Sequence, residues 1–418
     1  MVRAFNMEIL RVTSDVGVLA VLSGICAFFF WLEKATRWRL FQYLPPLVFI
    51  YLTPVLLANS GVIARLFDGS ATVEGAAAVA PPPGILPASS AAYDAIKNFG
   101  LPMMLVLMLI NVDVKRALAL AGRGVGVMLF GAAGVIVGAA LGLWVVKGWL
   151  GPDAWKAYGA LTGSWVGGTG NLAAVAAAVQ ADGTEVALAT MADTALLLLW
   201  MPVMLSSKKL APWFAQFARV DATRVAQMDE AARLHGGKSR APTYQDFLLM
   251  FFLALGVTWL STSLANWLPK DGRIVSFDTW LVLLVTTIGI GLSFTRARGL
   301  PGSRDLGMAL IFLFMARTGA KANLADALVQ AGPFLLGALI CIVTHGVFCL
   351  VGAKLLHVDI HTAAIASAAN IGGVATASVV AAHHKESLMP AAILLALLGY
   401  ALGNYAGLLA AALCQMVI

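Results

Sequence analysis

The sequence predicts an all-α membrane protein with about ten transmembrane helices in two inverted repeats of five, each repeat with a re-entrant Gly-Gly hairpin. Three observations lead to this fold class. The chain is too apolar for its size to be a soluble globule. Its basic residues sort onto one side of a ten-span count, and two motifs recur at a nearly constant offset.

Of the 418 residues, 60% are hydrophobic and only 12% are charged. The mean hydropathy is +0.86. A soluble domain averages about 25% charged residues, so this chain could not cover a globule with polar surface. The runs Val16 to Leu32, Leu101 to Ile110, Val125 to Val146 and Phe334 to Leu350 hold almost nothing that could face water. A bilayer core takes about 20 apolar residues as a helix. The 41 glycines suit membrane helices, whose backbones approach closely through small residues. Cys26, Cys341, Cys349 and Cys414 all fall in apolar runs without metal-ligand spacing and read as buried free thiols. Met1 to Arg11 lacks a signal-peptide cleavage pattern, so the first apolar run is expected to be retained.

Ten spans are expected near 14–32, 40–58, 96–112, 122–147, 185–205, 244–267, 277–293, 304–318, 332–355 and 388–415. Two further stretches, about 157–181 and 361–383, are apolar but rich in Gly, Ala, Ser, Thr and Asn, and read poorly as simple spans. The stretch from Ser206 to Thr243 carries Lys208, Lys209, Arg219, Arg224, Arg233, Lys238 and Arg240, which assigns it to the cytoplasm. Counting outward from it puts Lys34, Arg37, Arg39, Lys115, Arg116, Arg123, Arg296, Arg298, Arg304, Lys354 and Lys385 on the same side. Eighteen of the 28 basic residues then lie inside and both termini outside, provided that the two Gly-rich stretches do not cross. The net charge of +7 is thereby read as loop retention. No stretch joins clustered Lys and Arg to exposed aromatics as a nucleic-acid surface would. The segment Asn59 to Asp94, with Ala80-Pro-Pro-Pro-Gly84, reads as a partly polyproline surface insertion or, alternatively, a lid.

The repeat appears on alignment of the chain with itself. Asn111-Val-Asp-Val-Lys-Arg-Ala-Leu118 matches Arg317-Thr-Gly-Ala-Lys-Ala-Asn-Leu324 at an offset of 206. Ser164-Trp-Val-Gly-Gly-Thr-Gly-Asn171 matches Ala369-Asn-Ile-Gly-Gly-Val-Ala-Thr376 at 205. Each half holds an odd number of spans, so the second is expected upside down relative to the first. This is the plan of many secondary transporters. It divides the chain into an N-terminal repeat (12–205, hairpin about 157–181), a basic cytoplasmic linker (206–243) and a C-terminal repeat (244–418, hairpin about 361–383).

A hairpin turning inside the bilayer leaves helix-terminal N–H groups and carbonyls bare, and these can bind an anion and a cation respectively. Ser164, Thr169 and Asn171 in the first hairpin add neutral oxygens, as do Ser367, Asn370, Thr376 and Ser378 in the second. The bland reading of these stretches is helix packing through small residues. Asp193, inside the fifth span, is expensive to bury and is therefore a candidate ion-coupling group, for Na⁺ or a proton. The alternative is a structural partner for a Lys or Arg. Thr169, Asn404 and Tyr400 are further oxygen donors. Arg317 and Lys321 either meet a substrate carboxylate or snorkel to the interface. Asp113 and Lys115 read as a local ion pair, and His345 as a packed, hydrogen-bonded histidine. His383 and His384, adjacent on one helix, point in different directions and do not suggest a metal site. No P-loop or dinucleotide motif occurs, nor any nucleophile–base–orienter set or His-Glu-x-x-His pattern. The chain is expected to be neither an enzyme nor an ATP-driven pump, and to need no cofactor beyond Na⁺ or H⁺ as coupling ion.

Gly163-Ser-Trp-Val-Gly-Gly-Thr-Gly-Asn171, Thr318-Gly-Ala-Lys-Ala-Asn-Leu324 and Ala369-Asn-Ile-Gly-Gly-Val-Ala-Thr376 resemble the signatures of an uncharacterised family. It is the domain-of-unknown-function group of multi-spanning proteins from bacteria and plant plastids, and the resemblance runs from about residue 12 onward. More distantly the hairpins are similar to those of sodium–glutamate and sodium–citrate symporters. That similarity implies inverted repeats, a homodimeric scaffold and elevator-type movement of a domain holding both hairpins. It also implies substrate contacts at Ser164, Gly167, Gly168, Asn171, Asn370, Gly372, Gly373 and Thr376. This chain lacks the carboxylate-binding arginine that some of those symporters carry after the second hairpin. That departure weighs against an anionic substrate, and the candidate classes are carboxylates, amino acids and short peptides.

The expectation is a secondary active transporter of a small organic solute in the bacterial inner membrane. The alternatives are a non-transporting scaffold or sensor that retains the transporter fold and, less in keeping with opposed hairpins, a passive channel.

Overall fold

The computed structural model describes residues 11–36, 38, 40–43, 46–67, 84–220, 240–270 and 275–418. Fourteen helices carry the architecture: α1 (Asp15–Thr36), α2 (Pro46–Ala58), α3 (Ala91–Leu109), α4 (Arg123–Val146), α5 (Ala154–Gly167), α6 (Thr169–Ala178), α7 (Gly183–Ser206), α8 (Tyr244–Trp267), α9 (Phe277–Ser293), α10 (Ser303–Ala320), α11 (Leu324–Leu356), α12 (Ile360–Asn370), α13 (Gly373–His384) and α14 (Met389–Val417). The described residues are helix, turn or coil throughout, without strands. The polyproline run and half of the basic linker, including Arg224, Arg233 and Lys238, lie outside the described residues, as do Arg37 and Arg39.

Seven of the ten expected spans fall on helices long and apolar enough to cross a bilayer: α1, α3, α4, α7, α8, α11 and α14. The other three fall on helices that are shorter or carry more charge. Helix α2 has 13 residues, from Pro46 to a turn at Asn59, and holds Pro54 in its interior. Helix α9 has 17 residues, about 26 Å at 1.5 Å per residue. Helix α10 has 18 but carries Arg304, Asp305 and Arg317.

The two Gly-rich stretches are each broken into a pair of helices that fold back on themselves. Helix α5 ends at Gly167, and Gly168 (φ +78°) turns the chain into α6. Gly372 (φ +102°) and Gly373 (φ +66°) turn α12 into α13. An L-residue pays roughly 1–2 kcal/mol in this region, so glycine is what makes each turn cheap. Gly163 and Val175 face each other across the first turn, where an added Cβ would lie 2.9 Å from Val175 Cγ2. In the second, His361 at the start of α12 meets His384 at the end of α13. Both pairs therefore return to the end at which they began.

Polar contacts collect at the two ends of the bundle. One end joins Asp15 to Ser90, Lys97 to Asp278, Tyr51 to the Gly183 carbonyl and Gly151 to Gln330. The other joins Asp113 to Arg298, Arg123 to the Leu356 carbonyl, Lys208 to the His383 carbonyl and His357 to the Ala218 carbonyl. Asp113 also caps the short helix Val114–Ala121 through the Arg116 N–H. Its ion-pair partner is Arg298 at 2.9 Å, not Lys115 as the sequence suggested, because a capping side chain turns back on its own helix start.

Packing sorts the helices into two groups. Helices α1, α2, α3, α8, α9 and α10 pack mainly on one another, and α4, α5, α7, α11, α12, α13 and α14 form the second group. Helix α6 lies at the seam, against α5, α14 and α9. The broadest contact is between α4 and α11, which run antiparallel: Gly131 faces His345 and Cys349, Gly138 faces Cys341, and Gly142 faces Gly337. A Cβ on Gly138 would fall 2.8 Å from the Cys341 backbone. Glycines thus let these two helices touch main chain to main chain, which is how helices associate where lipid offers no hydrophobic drive.

Candidate functional site

Both hairpin tips converge on α7 and α14. At the first tip, the Gly168 N–H donates to the Ser164 carbonyl at 2.6 Å and closes α5. Ser164 is buried, and its Oγ donates to Asp193 Oδ2 on α7 at 3.0 Å. Asn171, also buried, donates Nδ2 to the Tyr400 carbonyl of α14 at 3.0 Å. Gly168 faces the Tyr400 ring, with an added Cβ only 3.0 Å from Cε1. Thr169 is half-buried at the first position of α6.

At the second tip, Asn370 is fully buried and donates Nδ2 to the Met128 carbonyl of α4 at 2.9 Å, while its Oδ1 has no hydrogen-bond partner. Gly372 packs against Thr376 of its own hairpin and Leu197 of α7. Gly373 approaches the Tyr400 hydroxyl, with an added Cβ 3.9 Å from Oη. Tyr400 therefore packs on the first tip and lies near the second. Helix α7 meets both hairpins along one stripe: Asp193 holds the first hairpin, Leu197 meets Gly372, and Trp200 Nε1 donates to Ser367 Oγ of the second at 3.0 Å. Residues three and four apart share a helix face, which is why one helix can serve both.

Behind the second tip runs a buried polar chain. His345 Nδ1 lies 2.9 Å from the Gly131 carbonyl, which can only accept, so Nδ1 carries the proton. His345 Nε2, 2.9 Å from Ser367 Oγ, is then the acceptor. Ser367 donates to it and accepts from Trp200. The expectation of a packed, hydrogen-bonded His345 agrees with this arrangement, in which every polar atom is matched.

Three sequence candidates sit elsewhere. Asn404 is fully buried one turn beyond Tyr400, but its Nδ2 donates to Thr286 Oγ1 of α9 at 2.7 Å, and its Oδ1 is unpartnered. Arg317 donates Nε to the Tyr93 carbonyl at 3.1 Å and lies over the Phe314 ring, within the first helix group. Lys321, at the C-terminal end of α10, has Arg317, Asp94, Lys97 and Asp182 as charged neighbours. Burial and the nearby guanidinium both hold its ammonium below the usual lysine range. The structure does not bring Arg317 or Lys321 to the tips.

The sequence reading passed over the seam that seats the first hairpin. Gly159, Gly163 and Gly167 on α5 meet Gly399, Gly403 and Gly407 on α14, all at four-residue spacing. A Cβ on Gly403 would lie 2.7 Å from Gly167 Cα, and one on Gly407 3.1 Å from Gly163 Cα. The repeated Gly-x-x-x-Gly spacing was the available signal.

Chemically, the tips offer two kinds of group. Helices α6 and α13 start at glycines that provide no capping side chain, so their first N–H groups point at the turn uncapped and favour negative charge. Asp193, the Asn370 Oδ1 and the last carbonyls of α5 and α12 favour a cation.

The family model described as "Protein of unknown function (DUF819)" matches residues 20–417, and the chain belongs to that family. It is similar to the "Uncharacterized membrane protein YjcL" of Bacillus subtilis (strain 168), at 26% identity over 337 residues, covering 78% of this chain and 84% of that protein. It is a multi-spanning membrane protein of this uncharacterised family.

Proposed function

We propose that this protein is a secondary active transporter that carries a small organic solute between its two hairpin tips, coupled to Na⁺ or H⁺. The observation that carries this reading is the convergence of both tips on the same stretches of α7 and α14, with Tyr400 against Gly168 and near Gly373. Asp193 would bind the coupling ion together with oxygens from the first tip.

The contact pattern supports an inverted repeat. Helices α4 and α11, at the same place in each half, pack antiparallel. Helix α2 packs on α10 as α9 packs on α3, and α7 packs on α11 as α14 packs on α4. The return of each hairpin to its starting end supports re-entry over crossing. The division into two helix groups is what an elevator needs: the group holding both hairpins moves against the other, which would form the scaffold of a homodimer. In this reading the end bearing Lys208, Arg298 and Arg123 faces the cytoplasm of a bacterium, and both termini lie across the inner membrane.

The test is solute uptake into proteoliposomes under imposed Na⁺ or H⁺ gradients, over a panel of carboxylates, amino acids and short peptides. Concentrative uptake that Asp193→Asn uncouples and Asn370→Ala weakens is expected. Wild-type rates in both variants would place the site elsewhere. A ligand that raises the melting temperature without flux under any gradient would favour a sensor instead.

A further inference from the structure

The mouth of the second hairpin holds a histidine pair outside the proposed solute path. His361, in the first turn of α12, and His384, in the last turn of α13, bring their Nδ1 atoms to 3.1 Å, with ring centroids 5.3 Å apart. His384 is buried, and its Nε2 lies 2.9 Å from the Met204 carbonyl of α7. A carbonyl only accepts, so His384 carries its proton on Nε2, and its bare Nδ1 accepts the His361 Nδ1–H, a proton that a metal ion between the rings would displace to Nε2. A backbone carbonyl that fixes the far nitrogen while the near one stays bare is the usual support of a metal-binding histidine. Two nitrogens each about 2.0–2.1 Å from a tetrahedral ion are roughly 3.3–3.4 Å apart, close to the separation found here.

We propose that His361 and His384 form a two-histidine site for a borderline divalent cation such as Zn²⁺, tying the two ends of the second hairpin to each other and, through Met204, to α7. Imidazole suits Zn²⁺, Cu²⁺ and Ni²⁺ over the hard cations. Among the described residues no third His, Cys, Asp or Glu completes the set. Lys208, just past the end of α7, donates to the His383 carbonyl beside the pair, and Asp359 caps the helix start at His361. His383 is exposed, with its ring centroid 5.8 Å from that of His384, and takes no part.

The experiment is calorimetric titration of Zn²⁺ into the chelator-treated full chain in detergent, purified without a polyhistidine tag. One Zn²⁺ per chain and a higher melting temperature are expected. His361→Ala and His384→Gln should each abolish both, and His383→Ala neither. The Gln variant keeps an N–H for Met204, and unchanged gel-filtration behaviour of each variant checks its fold. No stoichiometric binding by the wild type, binding that survives both His361→Ala and His384→Gln, or loss in His383→Ala would each overturn the proposal. Transport is not the readout, so failure here leaves the transporter reading where it stood.

Discussion

The two hairpins share a sequence element and differ in how they are held. The first is seated largely by close main-chain approach: its α5 lies against α14 with only the Asn171 amide packed beside Gly167 and Gly403, and its base is pinned by Ser276 and Thr279, both of which donate to the Ala178 carbonyl at 3.1 Å. The second is seated by side chains, through Trp200, Ser367 and His345. The same Gly-Gly turn can therefore be fixed by steric fit or by hydrogen bonding. The two modes fail differently under mutation.

The largest expected effect is at Ser367→Ala, which strips both Trp200 Nε1 and His345 Nε2 of a buried partner at a cost of about 1–3 kcal/mol for each. Ser164→Ala, its counterpart in the first hairpin, should cost less, because Asp193 is only half-buried and can find another donor. Unfolding midpoints in detergent would rank them, and an equal loss would erase the distinction. Next comes the steric seam. Gly403→Ala forces a Cβ onto Gly167 Cα and Asn171, an overpacking cost of about 1–3 kcal/mol. Gly373→Ala meets nothing closer than 3.9 Å and should cost only the backbone strain of its φ, roughly 1–2 kcal/mol. Compensation of Gly403→Ala by a smaller residue at 171, and not at 400, would locate the clash.

The smallest effect is at the entry to α7, where Asp182 and Glu185 form a capping box. Asp182→Ala should cost about 1 kcal/mol. Burial pushes the Asp182 carboxyl up, but hydrogen bonds from Glu185 and from the Thr184 and Glu185 N–H groups outweigh it and hold the group below the ordinary range. A lowered folded-state pKa stabilises above the unfolded value, near 3.9, and that contribution is lost as the pH falls through the folded value. The wild type should therefore lose more stability than Asp182→Ala between about pH 5 and pH 2. Parallel acid-unfolding curves would show that the cap contributes nothing.

The breaks at Gly168 and Gly372 were legible in the sequence, because paired glycines inside apolar, Ala-rich stretches serve no ordinary helix. The placement of Ser164, Asn171 and Asn370 around those breaks followed from proximity along the chain. Long-range partners did not. Trp200 meets Ser367 across 167 residues, and His361 meets His384 only because the chain turns between them. Asp113 reads beside Lys115 in the sequence, yet Arg298 pairs with it in space. The stretch expected at 277–293 is the helix Phe277–Ser293 itself, whereas the one expected at 40–58 holds a helix of only 13 residues, Pro46–Ala58.

The glycine seam between α5 and α14 has a mechanical consequence. Rotamer changes soften most helix contacts, because a side chain can swing aside and let one helix creep past another. Where Gly159, Gly163 and Gly167 abut Gly399, Gly403 and Gly407, little can swing beyond the packed Asn171 and Val175 side chains. The first hairpin and the last helix are welded into one girder, and any play in this part of the molecule has to come from the joints around it.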